Sequence, residues 1–309
     1  MARVVFFGTP SFGVPILRAL TQHHEVLAVV TQPDRPAGRG RKLQSPPVKE
    51  LAEKEGIRVL QPANLRRDQE TIATLQKLGA DIFVIAAYGQ ILRPNVLHIP
   101  PYGCIGVHAS LLPKLRGAAP ITAAILQGEK ETGITLMLTD EGMDTGPIIA
   151  QRKIQIAPDE TTETLSAKLA QLGAELLIET LPAWLAGQIE PIPQDESQAT
   201  YAPRIKKEDG RILWHHSATE IDRQIRAFTP WPGTYCYWQG KPLKILKARP
   251  LQAESPAPPG TVIEHKEEIA VTTGEGLLIL ERVQLAGKRA MEIQDFIRGQ
   301  RLFLGSTLA

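Results

Sequence analysis

The sequence predicts an α/β fold with a mainly parallel sheet, followed by a second, smaller domain built from short strands. Three observations carry that prediction. Strand-like and helix-like segments alternate over the first 190 or so residues, which is the mark of βαβ units. The run Asp81 to Ala87 is almost unbroken in its apolar character, as a strand covered on both faces should be. A Pro-rich and polar stretch from Gln188 to Pro203 then breaks the alternation, and short strand-like runs follow it. The division that results is 1–189, a linker at 190–208, and 209–309.

The elements justify themselves in chain order. Arg3 to Phe7 is a short β-branched and aromatic run. Phe12, Ile16, Leu17 and Leu20 have helical spacing over Ser11 to Leu20, with Thr9 or Ser11 as a capping residue. Glu25 to Thr31 is strand-like, and Val48 to Glu55 and Thr71 to Leu78 are helix-like, the latter closed by Gly79. After the strand at 81–87 come strands at Cys104 to His108 and Thr135 to Leu138. Thr161 to Ala186 is a long amphipathic helix, which Pro182 is expected to break or kink. Beyond the linker, strands are expected at 234–238, 243–248, 260–265, 269–273 and 276–282. Helices are expected at 219–228 and 293–298. Short strands with turns between them fit a small open barrel, and equally a sandwich.

Composition bounds the function. The 309 residues are 43% hydrophobic and 22% charged, ordinary for a globular protein. No apolar run reaches the length of a membrane span, and the apolar run at the N-terminus is too short for a signal peptide. A cytoplasmic protein without membrane partners is expected. Two distant cysteines, Cys104 and Cys236, make no disulfide framework and no metal-ligand spacing, so no metal is expected. The adjacent pairs His23-His24 and His215-His216 lack that spacing too. The turn Gly8-Thr9-Pro10-Ser11-Phe12-Gly13 fits neither a dinucleotide fingerprint nor a P-loop. Net charge is only +2, but basic residues cluster locally. Arg35, Arg39, Arg41 and Lys42 stand together without an acid, and Arg204, Lys206, Lys207 and Arg211 form a second group. Such segments suit a polyanion bound over part of the surface. The segment 32–47 has no apolar periodicity and reads as a long structureless loop, a length that hints at function. A monomer is expected, because no long exposed apolar stripe is evident.

The chemistry concentrates in two segments. Gly103-Cys104-Ile105-Gly106-Val107-His108-Ala109-Ser110-Leu111-Leu112-Pro113 reads as a buried strand that ends in a histidine and turns at a proline. Parallel strands place their reactive groups at that edge. Asp140-Glu141-Gly142-Met143-Asp144-Thr145-Gly146 is an acidic, glycine-punctuated loop about 30 residues later. A carboxylate on a neighbouring loop can orient an imidazole and stabilise its charged form.

These residues resemble the formyltetrahydrofolate-dependent formyltransferase family, whose pattern is Asn-x-His-x-Ser-Leu-Leu-Pro with a distant Asp. Further segments resemble its methionyl-tRNA-formylating branch: Thr31 to Gly40, Ala87-Tyr88-Gly89, Arg116-Gly117-Ala118-Ala119-Pro120 and Trp231-Pro232-Gly233. The resemblance implies a Rossmann-like catalytic domain and an oligonucleotide-binding-like C-terminal barrel. It implies 10-formyltetrahydrofolate as donor and initiator methionyl-tRNA as acceptor. His108 and Asp144 would handle protons. Ser110, Leu111, Leu112 and Pro113 would seat the folate, with Tyr88, Gln90 and Leu92 lining the same pocket. Arg39, Arg41 and Lys42 would enter the acceptor stem, with Lys206 and Lys207 also on the tRNA. Gly106 occupies the position of the family's Asn, which donates a hydrogen bond to the formyl oxygen. Loss of one such donor costs about two to three orders of magnitude in rate. Three readings of Gly106 stand at this point: a slowed enzyme, a gap filled by water or another donor, or a folate- and tRNA-binding protein without turnover. A formyltransferase acting on an amino sugar or purine precursor is the remaining alternative, against which the basic loop and the second domain argue.

Overall fold

The structure is a computed structural model that describes residues 1–37 and 42–309. It divides into two compact units, one of residues 1–120, 131–155 and 166–202, the other of residues 121–130, 156–165 and 203–309.

In chain order the elements are β1 (Arg3–Gly8), α1 (Gly13–His23), β2 (Glu25–Val30), β3 (Arg35–Ala37), β4 (Lys42–Gln44), α2 (Pro47–Lys54) and β5 (Val59–Leu60). Then follow α3 (Gln69–Leu78), β6 (Ile82–Ala86), α4 (Pro94–Leu97), β7 (Cys104–His108), β8 (Arg116–Gly117) and α5 (Pro120–Gln127). β9 (Glu131–Leu138), β10 (Ile148–Gln155), α6 (Thr162–Leu185) and β11 (Tyr201–Ala202) complete this stretch.

The central sheet has the order β10-β9-β7-β6-β1-β2-β5. The pairs from β7 through β5 are parallel, while β9 runs antiparallel to β7 and β10 antiparallel to β9. β1, β6 and β7 are buried on both faces, which is why their sequences are apolar throughout. α1 starts at Gly13 rather than Ser11, and neither Thr9 nor Ser11 caps it: Phe12 is the N-cap, and the Gly13 N–H bonds to the Pro10 carbonyl at 3.0 Å. α3 has Asp68 as its N-cap, accepting from Thr71 N, and Gly79 ends it in the left-handed region at φ 59°.

Three expectations change. Residues 32–47 are not a structureless loop: β3 and β4 pair as an antiparallel hairpin inside it. Pro182 does not break α6, which runs on to Leu185. Proline there removes one backbone bond within a turn of the helix end, and the fully buried Leu177 and Leu181 hold the preceding turn against the core. The Pro-rich segment after α6 is sewn onto the first unit. Ile192 pairs with Ile148, and β11 pairs in parallel with β8.

The second unit contains α7 (Ala218–Ala227), β12 (Thr234–Trp238), β13 (Lys241–Leu251), β14 (Val262–His265), β15 (Glu268–Thr272), β16 (Leu277–Leu285), β17 (Met291–Glu292) and α8 (Ile293–Gly299). Its strands form one antiparallel sheet in the order β12-β13-β16-β15-β14, with β17 on β16. Ser217 and Glu220 make a capping box at the start of α7. The core joins Ile221 and Ile225 of α7 to Trp238, Phe296 and Phe303, whose rings meet edge to face. The chain end bridges the two edge strands. Ala309 exchanges backbone bonds with Tyr237 on β12, and Leu308 N and Ser306 O bond Gly260 and Val262 beside β14. A single sheet with its edges bridged in this way is barrel-like rather than a sandwich. No helix of the described residues is long and apolar enough to cross a membrane.

Candidate active site

β7 carries the site. Its side chains alternate, so Cys104, Gly106 and His108 share one face. β7 is held between β6 and β9, and α6 lies close over it: a Cβ at Gly173 would stand 3.0 Å from Val107 Cγ1. His108 ends the strand with only 9% exposure. Its Nε2 lies 3.0 Å from the Leu115 carbonyl oxygen. Its Nδ1 faces Asp144 Oδ1 at 3.6 Å, an ion-pair distance but not a hydrogen bond.

Both partners of the ring are held from outside. Asp144 Oδ2 accepts from Gly117 N at 2.7 Å. Asp144 itself is in the left-handed region at φ 56°, and its carbonyl accepts from Gln194 Nε2 at 2.8 Å. Leu115 N donates to Thr200 Oγ1 at 2.9 Å. Gly117 has a glycine's reason: φ is 112°, and a Cβ there would lie 2.7 Å from the Ala202 carbonyl. Between Leu115 and Gly117, Arg116 is fully buried, with its guanidinium bonded to Gln194 and Glu196. The Arg116 guanidinium hydrogen-bonded to Glu196 holds that carboxyl below its usual range.

The turn after His108 is also fixed. Thr135 Oγ1 donates to Ser110 O and accepts from Leu112 N, and Gln151 Nε2 donates to Leu112 O and Thr135 Oγ1. Ser110 Oγ donates to Lys114 O at 2.6 Å, and Leu112 is buried. Leu111 and Pro113 are half-buried. Met143 is exposed and its Sδ lies 3.5 Å from where a Gly117 Cβ would be.

The other expected site residues are placed as follows. Tyr88 and Leu92 belong to the core under β1 and β6, and burial pushes the Tyr88 hydroxyl far above its usual range. The Gln90 side chain is spent on Leu65 N and Pro62 O. Ile91, between them, is exposed. Gly106 sits beside Met137 and Thr139; a Cβ on it would lie 3.0 Å from Met137 Cε and 3.0 Å from Thr139 Oγ1. Asp140 caps its own loop through Thr145 Oγ1 and Gly142 N. Arg39 and Arg41 lie outside the described residues, and Lys42 opens β4. Lys206 and Lys207 are exposed in the second unit, at the start of the short turn Lys207–Gly210. Among the described residues, no group of three or more His, Cys, Asp or Glu could hold a metal ion.

Sequence reasoning missed Gln194, Thr200, Thr135, Gln151 and the role of Arg116. Arg116-Gly117 was visible only as a resemblance, and Gln194 lay in a segment read as linker. It also missed a polar knot at the base of the β3–β4 hairpin. There Asp34 accepts from Lys49 at 2.8 and 2.9 Å, from Gln61 at 2.8 Å and from Ser45 at 3.3 Å.

Comparison with known proteins bears on this arrangement. Residues 2–181 match the family model described as formyl transferase, and residues 204–301 match that of the formyl transferase C-terminal domain. Among curated proteins, a methionyl-tRNA formyltransferase of Synechococcus sp. (strain JA-3-3Ab) is 50% identical over 98% of this chain and 97% of its own. One of Caldanaerobacter subterraneus subsp. tengcongensis is 48% identical over 99% of both chains. Among solved structures, an N-formyltransferase of Helicobacter canadensis, in complex with folinic acid and dTDP-3-aminofucose, aligns with a TM-score of 0.67. That alignment is 22% identical and covers 91% of this chain and 98% of the other. At that identity the likeness is one of fold.

Proposed function

The chain belongs to the formyl transferase family, and on that basis we propose that it carries a formyl group from 10-formyltetrahydrofolate to the α-amine of methionyl initiator tRNA. The observation that carries the reading is the pairing of His108 with Asp144 at the end of β7, in a chain about half identical to enzymes of that name.

The donor supplies an activated formyl carbon. Everything else falls to this chain. The pinned turn Ser110 to Pro113, with the exposed Met143 near Gly117, would offer a polar edge beside apolar surface, which suits a flat, polar-edged ring, and Tyr88, Gln90 and Leu92 would line the same pocket. His108, with Nε2–H donated to the Leu115 carbonyl, accepts a proton at Nδ1 from the attacking amine, while the amine nitrogen bonds to the formyl carbon. The proton then goes to the folate nitrogen as its bond to that carbon breaks. Asp144 orients the ring and balances its charge. Lys206 and Lys207 contact tRNA phosphates, and Arg39, Arg41 and Lys42 reach the acceptor stem.

The test is formyl transfer to charged initiator tRNA, with free methionine and an amino sugar as controls. Turnover on the tRNA alone is expected. Turnover on the sugar alone, or none with both ligands bound, overturns the reading.

A further inference from the structure

The loop bearing Asp144 is gripped by one side chain from a distant part of the first unit. Gln194 Nε2 donates to the Asp144 carbonyl at 2.8 Å and to the Gly146 carbonyl at 2.7 Å. The orientation of that amide is fixed by its other end. Gln194 Oε1 accepts from Arg116 Nε at 3.0 Å and from Arg116 Nη2 at 2.8 Å. A guanidinium has donors only, and carbonyls have acceptors only, so the amide fits one way round and cannot flip. Arg116 in turn cannot swing aside. It is fully buried, and it also bonds to Glu196 at 2.7 and 2.8 Å.

We propose that Gln194, locked by Arg116, is a positioning residue that sets Asp144 against His108. The inference rests on the reading of that pair given above. Its physical basis is a closed circuit. The main chain on one side of Arg116 supplies Leu115 O to His108 Nε2, and on the other side Gly117 N to Asp144 Oδ2. The Arg116 side chain reaches the same Asp144 through Gln194. Both groups that face the imidazole are thus referenced to a single buried arginine. Asp144 needs such a hold, because a non-glycine residue keeps its φ of 56° only when its surroundings fix it there. The 3.6 Å between Nδ1 and Oδ1 needs well under 1 Å of travel to become a hydrogen bond, and a misplacement of about 1 Å in such a pair can cost about 100-fold in rate.

Gln194→Glu is the informative variant. It keeps the shape and the bonds from Arg116, and it replaces the two donors to Asp144 O and Gly146 O with an acceptor. Gln194→Ala serves as a second variant should the first rearrange. The expected result in both is a fall in kcat of about 100-fold with KM for tRNA and folate nearly unchanged. In spectra of the ¹⁵N-histidine-labelled full chain, the His108 Nδ1 signal moves while the Nε2 signal, bonded to Leu115 O, stays. An unchanged Nδ1 signal overturns the proposal even if kcat falls, since loss of fold alone would do that. A full kcat overturns it as well. If the unaltered chain shows no formyl transfer, the functional reading fails, and the Nδ1 signal still decides the positioning role.

Discussion

His108 Nδ1 stands 3.6 Å from Asp144 Oδ1, with the ring's other nitrogen on the Leu115 carbonyl. Both ring nitrogens therefore face acceptors, and the charged ring can donate on both sides while the neutral ring donates on one. That asymmetry suits a group that gains a proton during the reaction and gives it up again. Hydrogen bonds of this kind are often long in the absence of substrate and tighten in the complex.

Removing either member is expected to lower kcat more than it alters KM. His108→Gln is expected to cost about 10²–10⁴-fold in kcat. Asp144→Asn leaves Gly117 N an acceptor and removes only the charge, so the loop keeps its place and kcat still falls by about 100-fold. Steady-state kinetics on both substrates checks this, and a full rate in Asp144→Asn sinks the assigned role.

Gly106 is expected to be a gain-of-function position. An added Cβ meets Met137 Cε and Thr139 Oγ1, each at 3.0 Å, both of them side-chain atoms that can give by a few tenths of an ångström. Among the described residues Thr139 Oγ1 is buried without a partner, so an amide placed at 106 also finds a waiting hydroxyl. Gly106→Asn is expected to raise single-turnover formyl transfer by at least about tenfold. If the rate does not rise, no donor is missing and another group serves the formyl oxygen.

The two halves of this site were unequally visible in the sequence. β7 was legible with its bounds because a strand buried on both faces writes its burial into five consecutive residues. Asp144 was reached through resemblance, since nothing local marks one acid of a Gly-rich loop above Asp140 or Glu141. Gln194 was not legible at all. Its partner Arg116 lies 78 positions away, and polar bonds across such a distance leave no periodicity to read. β10 shows the same limit: apart from the buried Ile149 its residues are half-buried or exposed, so no apolar run marks the strand. The β3–β4 hairpin was missed because its strands are three residues each and rich in basic residues and proline.

Asp34 ties the two ends of that hairpin segment, and the tie is expected to depend on pH. Hydrogen bonds from Lys49 and then Gln61 hold the Asp34 carboxyl below its usual range, outweighing the opposing effect of burial. A depressed folded value means that the contribution to stability is present above the unfolded value of about 3.9 and is lost as pH falls through the folded one. Asp34→Asn is therefore expected to lower Tm at pH 7 and to match the unaltered chain at strongly acid pH. A Tm difference that does not shrink on acidification rules out the ion pair as its source.

The two thiols are expected to be inert. Cys104 and Cys236 are 1% and 0% exposed, and burial pushes each thiol up to about 12. The thiolate is the reactive form, so alkylation at pH 8 should await unfolding. Mass spectrometry after iodoacetamide treatment, native and in denaturant, reads this directly. Fast modification of Cys104 in the native chain would mean that the strand bearing His108 opens.

Lys206 and Lys207 are exposed and flanked by Glu208 and Asp209, so their own neighbours partly offset their field. A phosphate contact still has a signature that a mere surface charge lacks. Each lysine that displaces counterions from tRNA contributes to the slope of log affinity against log salt, by about 0.7 to 0.9 per contact. Replacing both with alanine is expected to weaken binding of initiator and non-initiator tRNA alike and to flatten the slope by about 1.5. kcat at saturating tRNA should be unchanged, because phosphate contacts position the ligand without touching the reacting carbon. A slope that stays the same would place the tRNA elsewhere on the chain, with the basic group at 35–42 then carrying the electrostatic share.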